Sequence, residues 1–359
     1  MSIYYYANKE EMISERWNKM DKISILIPVY NEEKYILKCL ESIESQTYNL
    51  ESIEVIVIDG RSTDKTLSIV EGFNRNSKID IKVVDNPNRT APYAMNIGVK
   101  NASGSIIIRI DGHAYMKNDF VEQCVLALEK HKSVVCVGGS IITINENAIG
   151  EAIALAMSSP FGVGDAKFRY SQEEVLVDTL AFGAYRKEIF EKVGLFDEEL
   201  VRNQDDEFNF RVIKSGEKIL LNPKIKSYYY GRTSIKKLFK QYFQYGYWKV
   251  RVGQKHKQVT SIRQLVPFIF VMSLSILSIL SFVNKIFLMM LIAEILLYST
   301  CLIVFSIKVS CKGNKLKYTW LLPIIFLTLH SSYGIGYMLG IWDFIILNKK
   351  KGSYTKVSR

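Results

Sequence analysis

The chain is poor in cysteine. Its five cysteines (Cys39, Cys124, Cys136, Cys301 and Cys311) are widely spaced and form no Cys-x-x-Cys pair. That excludes a disulfide framework and a zinc ribbon, and reads as reduced thiols in a cytosol-facing protein. The opening stretch, MSIYYYANKEEMISERWNKMDK, lacks an apolar h-region, so no cleaved signal peptide is expected. There is no internal repeat and no low-complexity tract. Acidic residues show the most uneven gap. Residues 1–223 carry 34 acids against 26 bases, residues 224–257 carry none against ten, and residues 258–359 carry two against eleven. The net charge of +11 thus belongs to a belt and to loops beside apolar segments, behind an acidic body. Such a pattern fits an anionic membrane surface. A nucleic-acid partner is not expected, since its basic patch would lie on the folded domain.

Three long apolar segments follow the belt. Leu265–Val283 holds no formal charge, Ile286–Ile307 only Glu294, and Tyr318–Leu347 only Asp343. The first two have the roughly 20 residues that a bilayer requires. Ahead of them, strand-like and helical stretches alternate. ISILIP (23–28), EVIVID (54–59), residues 81–84, the Ile106 run and residues 134–137 read as buried strands, the last closed by Gly138-Gly139. Helical patterns fall between them, with Pro92 suited to a first turn. The region to about residue 140 is therefore α/β with a largely parallel sheet. Beyond it, Ala152–Tyr170 reads as a helix breaking into a loop, residues 179–185 as strand, residues 187–193 as helix, and the acids on both sides of Arg202 lead into a helix ending at Ser215-Gly216. Residues 236–257 interleave lysine and arginine with aromatics, which suits a helix at a membrane interface.

Chemistry is expected at the strand ends. Open α/β sheets bind ligands in the crevice at the carboxyl ends of their strands. Ile106-Ile107-Ile108-Arg109-Ile110 ends in Asp111-Gly112-His113, two potential metal ligands one residue apart, with Gly112 expected to let the backbone turn sharply between them.

Four motifs occur in order: Pro28-Val29-Tyr30-Asn31-Glu32, Val57-Ile58-Asp59-Gly60-Arg61-Ser62-Thr63-Asp64, Ile110-Asp111-Gly112-His113 and Asn203-Gln204-Asp205-Asp206-Glu207. Together they resemble family 2 glycosyltransferases, and among them the membrane-bound exopolysaccharide transferases of the succinoglycan ExoA type. The resemblance covers residues 22–255. It implies an α/β GT-A fold, Rossmann-like with a mixed, mostly parallel sheet, followed by C-terminal transmembrane helices. It further implies a nucleotide-sugar site at Pro28, Tyr30, Asn31, Glu32, Asp59, Arg61, Asn96 and Asp111, and a metal-diphosphate site at Asp111 and His113. Asp206 takes the position of the catalytic base, with Asp205 as its acidic neighbour. Arg202, Gln204, Gln244 and Trp248 fall to the acceptor, with the Pro160–Tyr170 loop as the place for a polyprenyl diphosphate.

Two departures refine this. His113 stands where the family has a second Asp, so Mn²⁺ is expected to serve better than Mg²⁺, which prefers oxygen ligands. Gln244-Tyr245-Gly246-Tyr247-Trp248 carries Tyr where processive synthases carry Arg, so processive export is not expected. The resulting expectation is an inverting transferase that moves a sugar from a nucleotide-diphosphate donor to a polyprenyl-diphosphate-linked glycan in exopolysaccharide or cell-surface glycan synthesis. Membrane lipids and other glycan-assembly membrane proteins are its further partners. A polyprenyl-phosphate sugar synthase and a non-catalytic scaffold are the alternatives.

The expected organisation is a lead (1–22), a transferase domain (23–232), an interface helix (233–260), a membrane region (261–348) and a basic cytoplasmic tail (349–359), in a multi-pass cell-membrane protein whose catalytic domain faces the cytoplasm. Spans are expected at 263–283 and 286–307. Segment 318–347 is expected either to cross or, because a third crossing would put the basic tail outside, to re-enter at a break over residues 330–336.

Overall fold

The computed structural model describes residues 21–258 and 262–355. Two compact units are assembled from interleaved stretches of chain. Of the described residues, the first takes 21–139, 173–196 and 211–228, and the second 140–172, 197–210, 229–258 and 262–355.

In chain order the elements are β1 (Ile23–Val29), α1 (Ile36–Glu44), β2 (Ile53–Asp59), α2 (Thr66–Asn74), β3 (Asp80–Asp85), α3 (Ala91–Asn101), β4 (Ile106–Arg109), β5 (Ala114–Met116), α4 (Phe120–Lys130), β6 (Val134–Ile144), α5 (Ala148–Met157), α6 (Pro160–Val163), β7 (Val175–Val177), β8 (Ala184–Arg186), α7 (Glu188–Val193), α8 (Gln204–Lys214), β9 (Lys218–Tyr230), α9 (Ile235–His256), α10 (Val266–Leu280), α11 (Lys285–Lys312) and α12 (Leu322–Gly340).

The first unit is organised around a mixed sheet with strand order β3-β2-β1-β4-β8-β6-β9-β5, with β7 beside β9. The first four strands are parallel, while β8 runs antiparallel to both β4 and β6. All seven residues of β1 and all seven of β2 are buried, as continuous β-branched runs in an α/β sheet predict. Parallel register carries the ends of β1 and β2 to one rim, with Val29 opposite Asp59. Two expectations change here. Strand β6 does not close at Gly138-Gly139 but runs through both to Ile144. A Cβ on Gly139 would fall 1.8 Å from the Ile225 carbonyl oxygen, so the glycine admits β9 instead of ending the strand. The stretch counted with the basic belt at Lys224 and Lys226 is the interior of β9, a 13-residue strand that the charge count conceals.

The second unit is helical. Helices α9 and α12 lie side by side, parallel, and touch backbone to backbone. A Cβ on Gly246 would fall 2.1 Å from the Tyr333 carbonyl oxygen, and one on Gly336 2.0 Å from that of Phe243. Small residues at such crossings let helices close to van der Waals contact of their main chains. One end of the pair is packed by Leu238, Ile325, Phe326 and Leu329 with Ala152, Ile153 and Ala156 of α5. The other is packed by Tyr247, Trp248 and Phe344 with Leu200. The expected break over residues 330–336 is absent: α12 is continuous, and Ile341–Ile346 extends it with the wider i→i+5 pattern, Leu347 N–H donating to the Trp342 carbonyl at 2.9 Å. Its glycines face neighbouring helices, which supply the contacts that hold the helix intact. Among the described residues three helices are long and apolar enough to cross a membrane: Arg263–Leu280, Lys285–Lys312 and Leu322–Ile346. The first two bury none of their most apolar stretch within the protein, the third half of it.

At the rim of the sheet opposite the strand ends, buried Glu54 accepts a hydrogen bond from the Ser24 hydroxyl and one from the Ser103 N–H (2.6 Å), while Gly104 N–H donates to Ser24 Oγ (2.8 Å). Burial pushes the Glu54 carboxyl up, but these bonds and the Lys22 charge outweigh it and hold it below the usual range. A carboxylate lowered on folding stabilises the fold above its unfolded pKa of about 4.3 and loses that contribution as pH falls through its folded value. Glu54→Ala is therefore expected to cost about 1–3 kcal/mol at pH 7 by stranding the serine and amide donors. In denaturant titrations of detergent-solubilised protein the gap to wild type should narrow below about pH 4; a gap independent of pH would contradict this account.

Candidate active site

The strand ends of the first unit bring most of the expected donor residues to one rim. Asn31 adopts φ 55°, the left-handed region that Asn tolerates. Its N–H donates to Ser62 Oγ (2.9 Å) and its Oδ1 accepts from the Thr63 N–H (2.8 Å), so the first and second motifs are stitched together. Asp59 is buried and accepts from the Ser62 N–H (3.0 Å) and hydroxyl (2.6 Å), fixing the turn after β2. Gly60 N–H donates to the Val29 carbonyl (2.8 Å). Arg61 forms an exposed two-pronged pair with Asp85 (3.1 and 3.2 Å). Pro28 is a buried interior residue of β1. Asn96, expected at the nucleotide sugar, is buried in α3 and clips the chain instead: its Nδ2 donates to the Phe196 carbonyl and its Oδ1 accepts from the Phe196 N–H, both at 2.9 Å.

At the Asp111-Gly112-His113 tip, Arg109 grips Asp111 Oδ1 through both Nε and a terminal nitrogen at 3.0 Å. His113 Nδ1 lies 2.9 Å from Glu32 Oε1, and Glu32 is itself buried. A carboxylate on one ring nitrogen fixes the tautomer and presents the other as a ligand, the arrangement common around metal-binding histidines. The expected sharp turn is present, with Ala114 N–H donating to the Asp111 carbonyl (2.9 Å) across Gly112 and His113, and Gly112 makes it without a positive φ. It is glycine because a Cβ would fall 2.9 Å from Val29 Cγ1 and 3.1 Å from Glu32 Cγ. Among the described residues no three His, Cys, Asp or Glu side chains converge as a self-sufficient metal cage. Asp111 and His113 fit the other mode, in which a divalent ion is held by one or two side chains and completed by substrate phosphates.

The second unit holds the expected base and acceptor residues. Asp205 and Asp206 occupy the first turn of α8, where the helix dipole favours acids. Asn203, at φ 61°, donates from Nδ2 to the Tyr245 carbonyl (2.9 Å). Lys249 of α9, nearly buried, is ion-paired to Asp206 Oδ2, and His256 Nε2 lies 2.9 Å from Glu207 Oε1. Arg202 donates to Gln244 Oε1 (3.3 Å) and lies 5.9 Å from the centre of the Tyr245 ring. Burial pushes the Tyr245 phenol up, with the Arg202 charge opposing it, and burial likewise raises Tyr242. Both stay protonated donors at neutral pH. Gln204 is buried. Trp248 does not floor an open surface: it is 1% exposed, and its Nε1 and Gln244 Nε2 both donate to the Tyr354 carbonyl (3.2 and 3.3 Å). In the Pro160–Tyr170 loop, Ser159 caps α6, and Phe161 stacks on Phe305 with centroids 4.3 Å apart.

Three basic residues were not singled out from the sequence. Arg109 precedes Asp111 by two in an extended run, so the strand period already places it on the same face. Arg89 lies 5.8 Å from the Tyr30 ring centre, and Lys249 comes from 43 residues beyond Asp206; neither leaves a local signal.

Residues 24–194 match the Glycosyl transferase family 2 model. The chain is 34% identical over 328 residues, 90% of its own length and 98% of the relative's, to a dolichyl N-acetyl-alpha-D-glucosaminyl phosphate 3-beta-D-2,3-diacetamido-2,3-dideoxy-beta-D-glucuronosyltransferase of Methanococcus voltae. The chain belongs to glycosyl transferase family 2. It is a glycosyltransferase by that membership, and it is also similar to the succinoglycan biosynthesis protein ExoA of Rhizobium meliloti, at 30% identity over 68% of this chain and 73% of that one. Its fold is GT-A. The mannosyltransferase PcManGT of Pyrobaculum calidifontis, solved with GDP-Man and Mn²⁺, superposes with a TM-score of 0.56 at 16% identity, covering 95% and 94% of the two chains. S. aureus TarS 1-349 with UDP-GlcNAc superposes at 0.51 with 20% identity, covering 88% and 90%.

Packing at the tip gives a direct test. Gly112→Ala is expected to lower stability by about 1–3 kcal/mol through overpacking against Val29 and Glu32 and to weaken nucleotide-diphosphate binding. Thermal melts with and without nucleotide would read both effects; an unchanged melt and affinity would show that the tip tolerates a methyl group.

Proposed function

We propose that this family 2 member transfers a sugar, with inversion, from a nucleotide-diphosphate donor to a lipid-linked glycan at the cytoplasmic face of a membrane. One observation carries the reading. Asp206 stands at the head of a helix, held by Lys249, on a unit whose helices α10 and α11 present unburied apolar surface. The base and that apolar surface thus belong to one unit, the part of the protein that a lipid-borne acceptor would meet. The M. voltae relative, matched almost end to end, supports it, since its name states a dolichyl-phosphate-linked acceptor.

In this reading the acceptor hydroxyl attacks the anomeric carbon of the donor sugar as the bond to the nucleoside diphosphate breaks. Asp206 takes the hydroxyl proton, and Asp205 sets the local charge. General-base assistance of this kind contributes about 10²–10⁴ in rate. Tyr30, Asn31, Asp59 and Arg89 shape the nucleoside end. Arg202 and Tyr245 supply a donor and an aromatic face to the acceptor, while buried Gln204, Gln244 and Trp248 support that surface from within. Asp111 and His113 would hold a divalent cation, with Glu32 orienting the imidazole; when bound, such an ion would supply positive charge beside the departing diphosphate. The fold neighbour solved with Mn²⁺ accords with such an ion.

Two outcomes check the assignment in membranes supplied with a panel of nucleotide sugars and lipid-linked acceptors. Asp206→Asn should lower transfer at least 100-fold. Retention of most activity would instead favour the polyprenyl-phosphate sugar synthase reading, whose nucleophile is already an anion. Activity should be higher with Mn²⁺ than with Mg²⁺, and His113→Ala should narrow that preference, because imidazole suits Mn²⁺ while Mg²⁺ favours oxygen. Equal rates with both ions in wild type and in His113→Ala would remove His113 from the cation site.

A further inference from the structure

The third apolar helix has the length of a span and the surroundings of something else. Helix α12 lies beside α9, in parallel, from the level of Leu238 to that of Gln254, whose Nε2 donates to the Phe344 carbonyl (2.5 Å). The glycine contacts already described make the two one body. Helix α9 carries Lys236, Lys237, Lys240, Lys249, Arg251 and Lys255. Were α12 to cross a bilayer, α9 would be carried across with it, and its six lysines and arginines would enter hydrocarbon, where each is strongly disfavoured. Both ends of α12 also meet charged groups. Near its start, Lys315 pairs with Glu151 (2.8 Å). At its end, Asp343 accepts from Lys349 (2.7 Å), Ser353 (2.9 Å) and the Tyr247 hydroxyl (2.7 Å).

The opposite face of α12 is apolar and exposed. Trp320 just ahead of the helix, Ile324, Leu327, Ile335 and Leu339 within it, and Trp342 and Ile346 of its extension recur at steps of three, four or eight residues along it. Its two tryptophans mark the two ends of one stripe. Tryptophan concentrates at membrane–water interfaces. In a spanning helix these two would sit at opposite interfaces; in a helix lying flat they share one.

We propose that α12 does not cross the membrane but lies in the plane of one leaflet, its stripe immersed in lipid and its other face bearing α9. Helices α10 and α11 then make the only two crossings among the described residues. The occupant of the stripe is the bilayer, continuous with the lipid-facing surface of α10 and α11. Charge supports this. With two crossings, the lysines at 308, 312, 315 and 317 and those at 349–351 fall on a single side, as the bias of basic residues toward the cytoplasm requires. The tail stays on that side as well. Arg251 donates to the Lys350 carbonyl (3.2 Å) and Trp248 to that of Tyr354 (3.2 Å), on the helix whose Lys249 holds Asp206.

The test uses the full chain in liposomes, with Cys301 and Cys311 replaced by serine and single cysteines placed at Ile324, Leu327, Ile335, Leu339 and Ile346, all exposed and so able to carry a nitroxide without disturbing the packing. Immersion depth is read from relaxation by oxygen against a water-soluble nickel complex. Similar shallow depths at all five sites are expected. A profile deepest at Ile335 and shallow at both ends would overturn the proposal. A membrane-impermeant maleimide supplies a second readout: Lys351→Cys and Phe282→Cys should react from opposite faces of the membrane, and reaction from one shared face would equally overturn it. Neither readout depends on the sugar chemistry.

Discussion

Contact between the main chains of α9 and α12 is the constraint on which the second unit depends. Glycines at 246 and 336 let the helices meet without side chains between them. The closeness has two effects. It turns each helix so that its remaining bulk, Tyr247 and Trp248 on one side and Phe326 and Phe344 on the other, fills the flanking cores. It also holds the polar edge of α9 steady, and from that edge Lys249, Gln244 and the Tyr245 carbonyl reach Asp206, Arg202 and Asn203. A helix pair that looks like membrane anchorage is therefore also the scaffold of residues 202–206.

The first unit rests on a different economy of space. Strand β1 is buried along its whole length between β2 and β4, and its end is level with that of β2, while β4 stops opposite Leu26. Side chains at this rim hold its loops: Asp59 the turn after β2, Asn31 the next loop, Glu32 the imidazole of His113. Side chains fixed in this way have little conformational freedom left to lose should a ligand meet the rim.

Much of this was legible in the chain. Runs such as ISILIP and EVIVID can hardly be anything but buried strands, and the ordered carboxylates at their ends marked the family and the rim. The failures have physical causes. Strand β9 was hidden because its lysines were counted as charge when period and neighbours should have been weighed. Gly138-Gly139 and the glycines of α12 have the local pattern of breaks, whereas glycine there answers to the closeness of another backbone, which no local pattern reveals. Asn96 has the chemistry of a ligand-binding amide but is matched, atom for atom, to the main chain of Phe196, 100 residues away. Trp248 has the chemistry of a sugar platform but sits beneath the Gly352–Tyr354 segment, 106 residues on.

The interleaving of the two units bears on how such a chain is made. In the sheet, β9 lies between β6 and β5, yet β5 ends at Met116 and β9 begins only at Lys218. While the chain emerges from the ribosome, the far edge of the sheet has to wait for about a hundred residues of later sequence, with β6 unsealed on one side. Contacts of such long sequence separation form slowly, and an open strand edge invites the wrong partner meanwhile. The long apolar helices α10 and α11 follow β9 in the chain after α9 alone. The order of events is thus written into the order of strands: the sheet closes last, at the strand after which the chain turns helical.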